Sequence, residues 1–342
     1  MERGPVAHQS ISRRTLLGGT AVLGLSALAS TGARAAGPMT VGVVYVGPKD
    51  DYGYNQAHAK GAAALKGLPG VEVVEEENVR ETNDVQKTME SMINMDGASL
   101  LLPTSFGYFD PHVLIEAKKN PKVQFRHCGG LWTAANPKNA GSYFGYIAQG
   151  QYLNGIVAAH ATKSKKIGFV AAKPIPQVLN NINGFLLGAR SVDPSITCHV
   201  DSPKVTVETA ARRGAYVCGY HADQSALAKD RYLTGAEWDW APIYKGFVAD
   251  MQAGKAPPNF LRGGLADGFV RMSPYGPAVS EAARKNADAV KAEMMKGGFA
   301  IIRGPLKDNK GNAIAEAGKG FPENAPELES TGYLVEGVRG SA

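Results

Sequence analysis

The sequence predicts an α/β fold of two similar lobes, each a mostly parallel sheet with helices on both faces. Three observations carry this. Apolar, β-branched runs of strand length recur four times between residues 40 and 130, with helix-period stretches between them. That rhythm breaks at the polar connector 136–142 and restarts at Lys166. At 342 residues the chain is long enough to bury two cores.

The first unit sets the pattern. Residues 41–46 form an apolar run and Gly47-Pro48 ends it. A polar loop with Asp50, Asp51, Tyr52, Gly53, Tyr54 and Asn55 then leads into helical periodicity from Gln56. Open α/β sheets place ligands at the carboxyl ends of their strands, so this loop is a candidate ligand contact. It offers carboxylates, phenols and an amide, without a Gly-rich phosphate fingerprint. That suits a polar, flat, uncharged ligand better than a nucleotide phosphate.

The remaining elements follow in order. A helix is predicted over 57–66 and a strand over 71–76. A helix capped by Thr82 or Asn83 runs to Met95, with Met89, Met92, Ile93 and Met95 on its apolar face. Residues 98–102 read as a buried strand ending at P-T-S-F-G-Y-F-D, where Asp110 is expected to cap a helix with Pro111 at its first position. A strand over 123–127 closes the run. After the connector come a helix over 150–162, a strand over 166–171, a helix over 174–190 and a strand over 196–200. Ser202-Pro203 opens a helix to Arg213, and 215–220 is a strand. The pattern loosens from Leu233: helical over 238–251, then extended over 260–266 and 269–272 around Asp267-Gly268, a hairpin-type turn signal. A helix over 277–296 and a strand over 299–303 end the regular part. The expected division is a leader at 1–35, lobe one at 36–163 plus 230–262, and lobe two at 164–229 plus 263–342.

Composition narrows the function. Of the formal charge of +6, half lies in the first 35 residues, where Arg3, Arg13, Arg14 and Arg34 face only Glu2. The rest is scattered in short clusters, without the basic stripe and interleaved aromatics of a nucleic-acid surface. Arg13-Arg14 precedes a weakly apolar run too short for a membrane span, and Ala33-Arg34-Ala35 supplies small residues for cleavage. This is the pattern of a twin-arginine export signal. An ordinary leader would change the route, not the destination: a periplasmic protein beginning near Ala36, with no lipoprotein cysteine at the cleavage site. Cys128, Cys198 and Cys218 lie in strand-like runs and read as small buried hydrophobes. An oxidising compartment leaves a Cys198–Cys218 bridge open. No spacing resembles a metal site, and no cofactor fingerprint is present. Pro103-Thr104-Ser105-Phe106-Gly107 comes nearest to a nucleophile elbow, but proline stands where the strained turn needs glycine.

What converges is a set of strand ends rich in aromatics, amides and carboxylates. The first lobe offers Asp51, Tyr54 and Asn55, then Phe106, Tyr108 and Asp110, then His127 and Trp132. The second offers Lys173, Pro176 and Asn180, then Asp201 and Ser202, then Tyr220, His221 and Asp223, with Asp267 and Gly268 after a later strand. Aromatics stack on a planar base, and amides or carboxylates read its donor edge. The competing reading, core or interface packing, applies to any one of these aromatics. Their shared position at strand ends carries the site.

In order and spacing, D-Y-G-Y-N-Q, T-S-F-G-Y-F-D, K-I-G-F-V-A-A-K-P-I-P, G-F-L-L-G-A-R and C-G-Y-H-A-D-Q-S resemble the basic membrane protein family. These are substrate-binding proteins of ABC importers, similar to bacterial purine nucleoside receptors. The resemblance runs from about Met39 to Gly304. It implies a two-lobed periplasmic-binding-protein type I fold that closes on its ligand by a hinge. It also implies a purine base or nucleoside as ligand, a permease as partner, no chemistry on the ligand, and a monomer. Tyr54-Asn55 matches the family's aromatic-Asn motif, and Phe106, Tyr108 and Asp110 its second ligand loop. Asp223 lies in the stretch matching its acidic loop of lobe two, and Asp267-Gly268 in its late loop. His221 stands where many relatives carry Asp. The lysine that relatives place near the late loop has no equivalent here, which favours a free base such as adenine. Another small polar ligand (a sugar or amino acid) is the alternative, and an exported α/β hydrolase comes third. One departure is larger: residues 196–200 run straight into Asp201-Ser202-Pro203, so one β–α unit of lobe two is missing, on the order of 30 residues.

Overall fold

Strand β1 (Met39–Val44) shows how the first half is built. Val41 and Val43 enter one core with Leu100 and Leu102, while Val44 enters another with Leu101 and Phe125. This two-residue alternation needs apolar cover on both faces of the sheet, which helices supply. The computed structural model describes residues 37–201, 207–322 and 325–340. The expected leader therefore lies outside the described residues.

The first half follows the β–α rhythm: α1 (Tyr54–Ala63), β2 (Val71–Glu76), α2 (Asn83–Asn94), β3 (Ala98–Pro103), α3 (Leu114–Lys119), β4 (Gln124–Cys128) and β5 (Ala140–Gly145). Helix α4 (Ala148–Ala161) leads into β6 (Lys166–Val170), α5 (Pro176–Arg190), β7 (Thr197–Asp201), α6 (Val207–Arg212) and β8 (Val217–His221). Then come β9 (Tyr232–Trp238), α7 (Ala241–Gln252), β10 (Phe260–Gly263), β11 (Val270–Met272) and α8 (Glu281–Met294). Short strands β12 (Ala300–Arg303), β13 (Leu306–Lys307), β14 (Ala313–Ala315) and β15 (Gly320–Pro322), helix α9 (Pro326–Glu329) and β16 (Val338–Arg339) complete it.

The first sheet has the order β10-β5-β4-β3-β1-β2, parallel throughout. Its third strand thus lies between the first and the fourth. The second half starts the same way but is divided. One three-stranded sheet is β16-β7-β6 and another is β11-β9-β8. By the order of the first sheet, a strand between β6 and β8 would join them. Among the described residues none occupies that place. Burial agrees: β1 is covered along nearly its whole length, whereas β6, in the equivalent position, exposes Lys166, Gly168 and Val170. The shortage read between Val200 and Asp201 is therefore the middle strand of the second sheet.

Helices α4 and α5 hold the second half together. A side chain at Gly155 would collide with the Phe185 carbonyl, and one at Gly188 with that of Tyr152, so two glycines let the helices cross at backbone contact.

Several expectations need correction. Asp110 (φ −116, ψ 121) is an extended break inside the helical stretch Phe109–Val113, which continues into α3 after Pro111; among the described contacts its side chain makes no capping hydrogen bond. Asp267-Gly268 does not close a hairpin. Strand β10 pairs with β5 in the first sheet and β11 antiparallel with β9 in another, so this turn carries the chain between sheets. Residues 233–237, read only as loosening, and Trp238, read as the start of a helix, belong to the fully buried strand Tyr232–Trp238, and the helix begins at Ala241. Glu237 is tolerated there because Arg271 and the Ser273 hydroxyl bind its carboxylate. That strand pairs with β8, so part of the segment 230–262 expected in lobe one is built into a second-half sheet. Cys198 and Cys218 are free thiols, on strands of different sheets. The helix start at Ser202-Pro203 falls outside the described residues.

Candidate functional site

The loop after β1 seats α1 through one side chain. Asp51 accepts the amides of Gly53, Asn55 and Gln56 at 2.8, 3.1 and 3.0 Å, satisfying donors that the helix start leaves open. It also takes the Asn55 side-chain amide at 2.8 Å, and Asn55 Oδ1 accepts the Gly47 amide at 3.3 Å. Asp51 and Asn55 therefore shape the loop. Tyr54 is left to face the second half, its hydroxyl fixed to the Thr104 carbonyl at 2.6 Å.

His221 meets it there. The two rings lie edge to face, centroids 5.4 Å apart. His221 ends β8 with φ +73, a left-handed backbone that turns its ring back onto Tyr220 at 3.5 Å. The Trp238 indole N–H donates to His221 Nδ1 at 2.9 Å, which leaves the histidine proton on Nε2. Burial lowers the His221 pKa to about 3, with Asp51 opposing. The stack continues through Trp238 and Trp240, 4.8 Å apart, to His58 on α1, 5.1 Å further and nearly parallel. A column of rings thus runs from Tyr220 in one half to α1 in the other.

Around this column the halves touch through polar groups. Gln224 donates to the Tyr52 carbonyl at 2.7 Å, and Lys173 pairs with Glu81 at 2.8 Å. The Asn181 amide binds the Tyr220 hydroxyl. Beside it a cavity of about 20 Å³ is lined by Phe144, Tyr146, Gln177, Asn180 and Glu329, among others. Gln177 Oε1 and Asn180 Oδ1 are buried without a hydrogen-bond partner.

The predicted residues divide. Tyr54 and His221 are in contact, and Asp51 lies near enough to His221 to act on its titration. Phe106 is half-buried on the loop that Glu81 holds. Tyr108 is fully buried in the first-half core, its hydroxyl on the Val79 carbonyl at 2.5 Å, which removes it from the cleft. Asp110 is exposed, at a kink in the helical stretch Phe109–Val113. Asp223 accepts the Ser225 amide and Asp267 the Gly264 amide, so each closes its own loop, and Gly268 supplies a positive φ for the second. His127 is buried against the Ser105 carbonyl. Sequence reasoning missed Trp238, Phe144, Gln177, Asn181 and Glu81. Trp238 ends a strand where the sequence suggests the start of a helix, and the two amides lie on a helix whose pattern marks neither as a contact. Among the described residues no cluster could hold a metal ion, and no helix is long and apolar enough to cross a membrane.

Two α/β halves meeting at their strand ends are the arrangement of a two-lobed periplasmic-binding-protein fold. Solved structures agree on the fold. A solute-binding protein of an ABC transporter system from Conexibacter woesei aligns with TM-score 0.61 at 18% identity, over 75% of this chain and 96% of its own. One from Aeropyrum pernix aligns with TM-score 0.61 at 17% identity, over 79% and 93%. Residues 39–206 match the family of PnrA-like ABC transporter substrate-binding proteins. Such proteins are exported and are not enzymes. A purine-binding protein of Brucella abortus is 29% identical over 339 residues, 90% of this chain and 94% of its own. That alignment is about 30 positions longer than the part of this chain it uses, the size of one β–α unit. An ABC transporter glucose-binding protein of Haloferax volcanii is 27% identical over 283 residues, 74% of this chain and 71% of its own.

Proposed function

We propose that this substrate-binding protein captures a purine, with adenine favoured over a nucleoside, and delivers it to an ABC permease. The observation that carries the reading is the group formed by Tyr54, Tyr220, His221 and Trp238 where the halves meet. A planar base finds π-faces there, and the unpaired oxygens of Gln177 and Asn180 would accept from an amino group. The purine-binding relative, similar over most of both chains, supports the same class. Twin-arginine export, a cleaved leader and a monomeric receptor complete the proposal. With the middle strand of the second half missing, the loop after it is missing too, and affinity falls below that of a complete receptor.

A thermal-shift panel of adenine, adenosine, guanosine, ribose, glucose and leucine tests this. Ligand that binds only the folded state raises the melting temperature. Adenine is expected to raise it most; a response confined to ribose or leucine rejects the purine. A sugar is the second reading, favoured by the glucose-binding relative, and a response to glucose alone would establish it.

A further inference from the structure

Glu81 lies between β2 and α2, and its carboxylate is shared by three donors. Oε1 accepts from the Ser105 hydroxyl at 2.6 Å and from the Gly107 amide at 3.0 Å. Oε2 takes the Lys173 ammonium at 2.8 Å. The first two belong to the loop after β3; the third reaches over from the loop after β6, in the other half. The seat is fitted to its occupant. A Cβ at Gly107 would come within 2.6 Å of the Glu81 carboxyl carbon, so a side chain there would push the carboxylate from its seat. Pro174 and Pro176 follow Lys173 and restrict the backbone that presents it. Burial opposes the charge on Glu81, but the hydrogen bonds from Lys173, Ser105 and Gly107 outweigh it and hold its carboxyl below the ordinary range. The Gln224–Tyr52 contact also joins the halves, but both its groups are uncharged and neither touches this loop.

We propose that Glu81 is a positioning residue for ligand capture. It sets the shape of the Phe106–Gly107 loop and, through Lys173, ties that shape to the closing of the second half over the cleft. One carboxylate then serves both, Oε1 holding the loop and Oε2 the closure. This rests on the cleft being the binding site, but its first test needs no ligand.

Small-angle scattering of the purified protein, at low salt and in about 1 M NaCl, compares wild type with Lys173→Met. At about 1 M the Debye length is about 3 Å, so an exposed ion pair is screened out. Lys173→Met is expected to be the more extended protein at low salt, and the two should coincide at high salt. Hydrogen exchange separates the two roles of Glu81. Glu81→Gln should speed exchange at the Gly107 amide, whereas Lys173→Met should leave it protected. With adenine, Lys173→Met should raise the off-rate about two- to fivefold, the range of an exposed pair, with little change in the on-rate. Identical scattering of wild type and Lys173→Met at both salts overturns the proposal, as does a Gly107 amide equally protected in Glu81→Gln. Should wild type bind no purine, the scattering result still stands or falls alone, so the two readings fail separately.

Discussion

At the scale of single residues, the opening loop separates shape from contact. Asp51 gives its carboxylate to the start of α1, and Asn55 is fixed between Asp51 and Gly47. Asp51→Ala should therefore lower stability by about 1 kcal/mol, the usual cost of a lost helix cap, read as a shift of the urea midpoint at constant slope. Tyr54→Phe removes the hydrogen bond to Thr104 and the hydroxyl's interaction with the Cys128 thiol, and should cost about 1 kcal/mol of stability while keeping the ring that faces the second half. Adenine binding lost in Tyr54→Phe would mean that the hydroxyl, and not the ring, is the contact. The sequence made this loop legible because a strand end, a Gly-Pro break and a cluster of polar aromatics coincide. It could not show where the Asp51 carboxylate goes, since a ligand and three backbone amides call for the same residue type. Tyr108 was misread for a related reason: its neighbours are loop-like, while its ring fills the core and its hydroxyl finds the Val79 carbonyl.

At the scale of elements, the β–α alternation was legible in the first half and incomplete in the second. Alternation and the handedness of parallel crossovers leave few arrangements, and the first sheet is parallel, as the alternation implies. Strand β9 escaped because Gly235 and Glu237 interrupt its pattern; packing and the Arg271 pair supply what periodicity does not show. The turn at Asp267-Gly268 has hairpin chemistry, yet its flanking strands belong to different sheets, a fact held by partners far away in sequence. The gap between β6 and β8 has a direct consequence. Among the described residues each of these strands has a ladder on one side only, so its outer amides lie outside the sheet's hydrogen bonding. Native-state hydrogen exchange should show β1 and β3 protected well beyond β6 and β8. Equal protection would mean that another segment fills the gap.

At the scale of the molecule, burial of neutral histidines sets the response to acid. Burial lowers His127 to about 4 and His221 to about 3, and holds His58 well below its ordinary value. The unfolded chain binds these protons near pH 6.5 while the folded one refuses them, so stability falls as pH drops from about 6.5 toward 4. At pH 5 the loss is up to about 2 kcal/mol for each of His127 and His221. Melting temperatures should decline over this window, and His127→Gln should flatten the decline. A flat profile between pH 7 and 5 would place these rings in water. The same burial pushes all three thiols up to about 12, so alkylation should require unfolding.

The ring cluster where the halves meet is the proposed seat of the purine. Trp238 belongs to that cluster and touches His221, so its fluorescence reports on the site. Titration of the protein with adenine, and separately with glucose, should give a saturable change with adenine alone, abolished in His221→Ala. A saturable change with glucose and none with adenine would contradict the account.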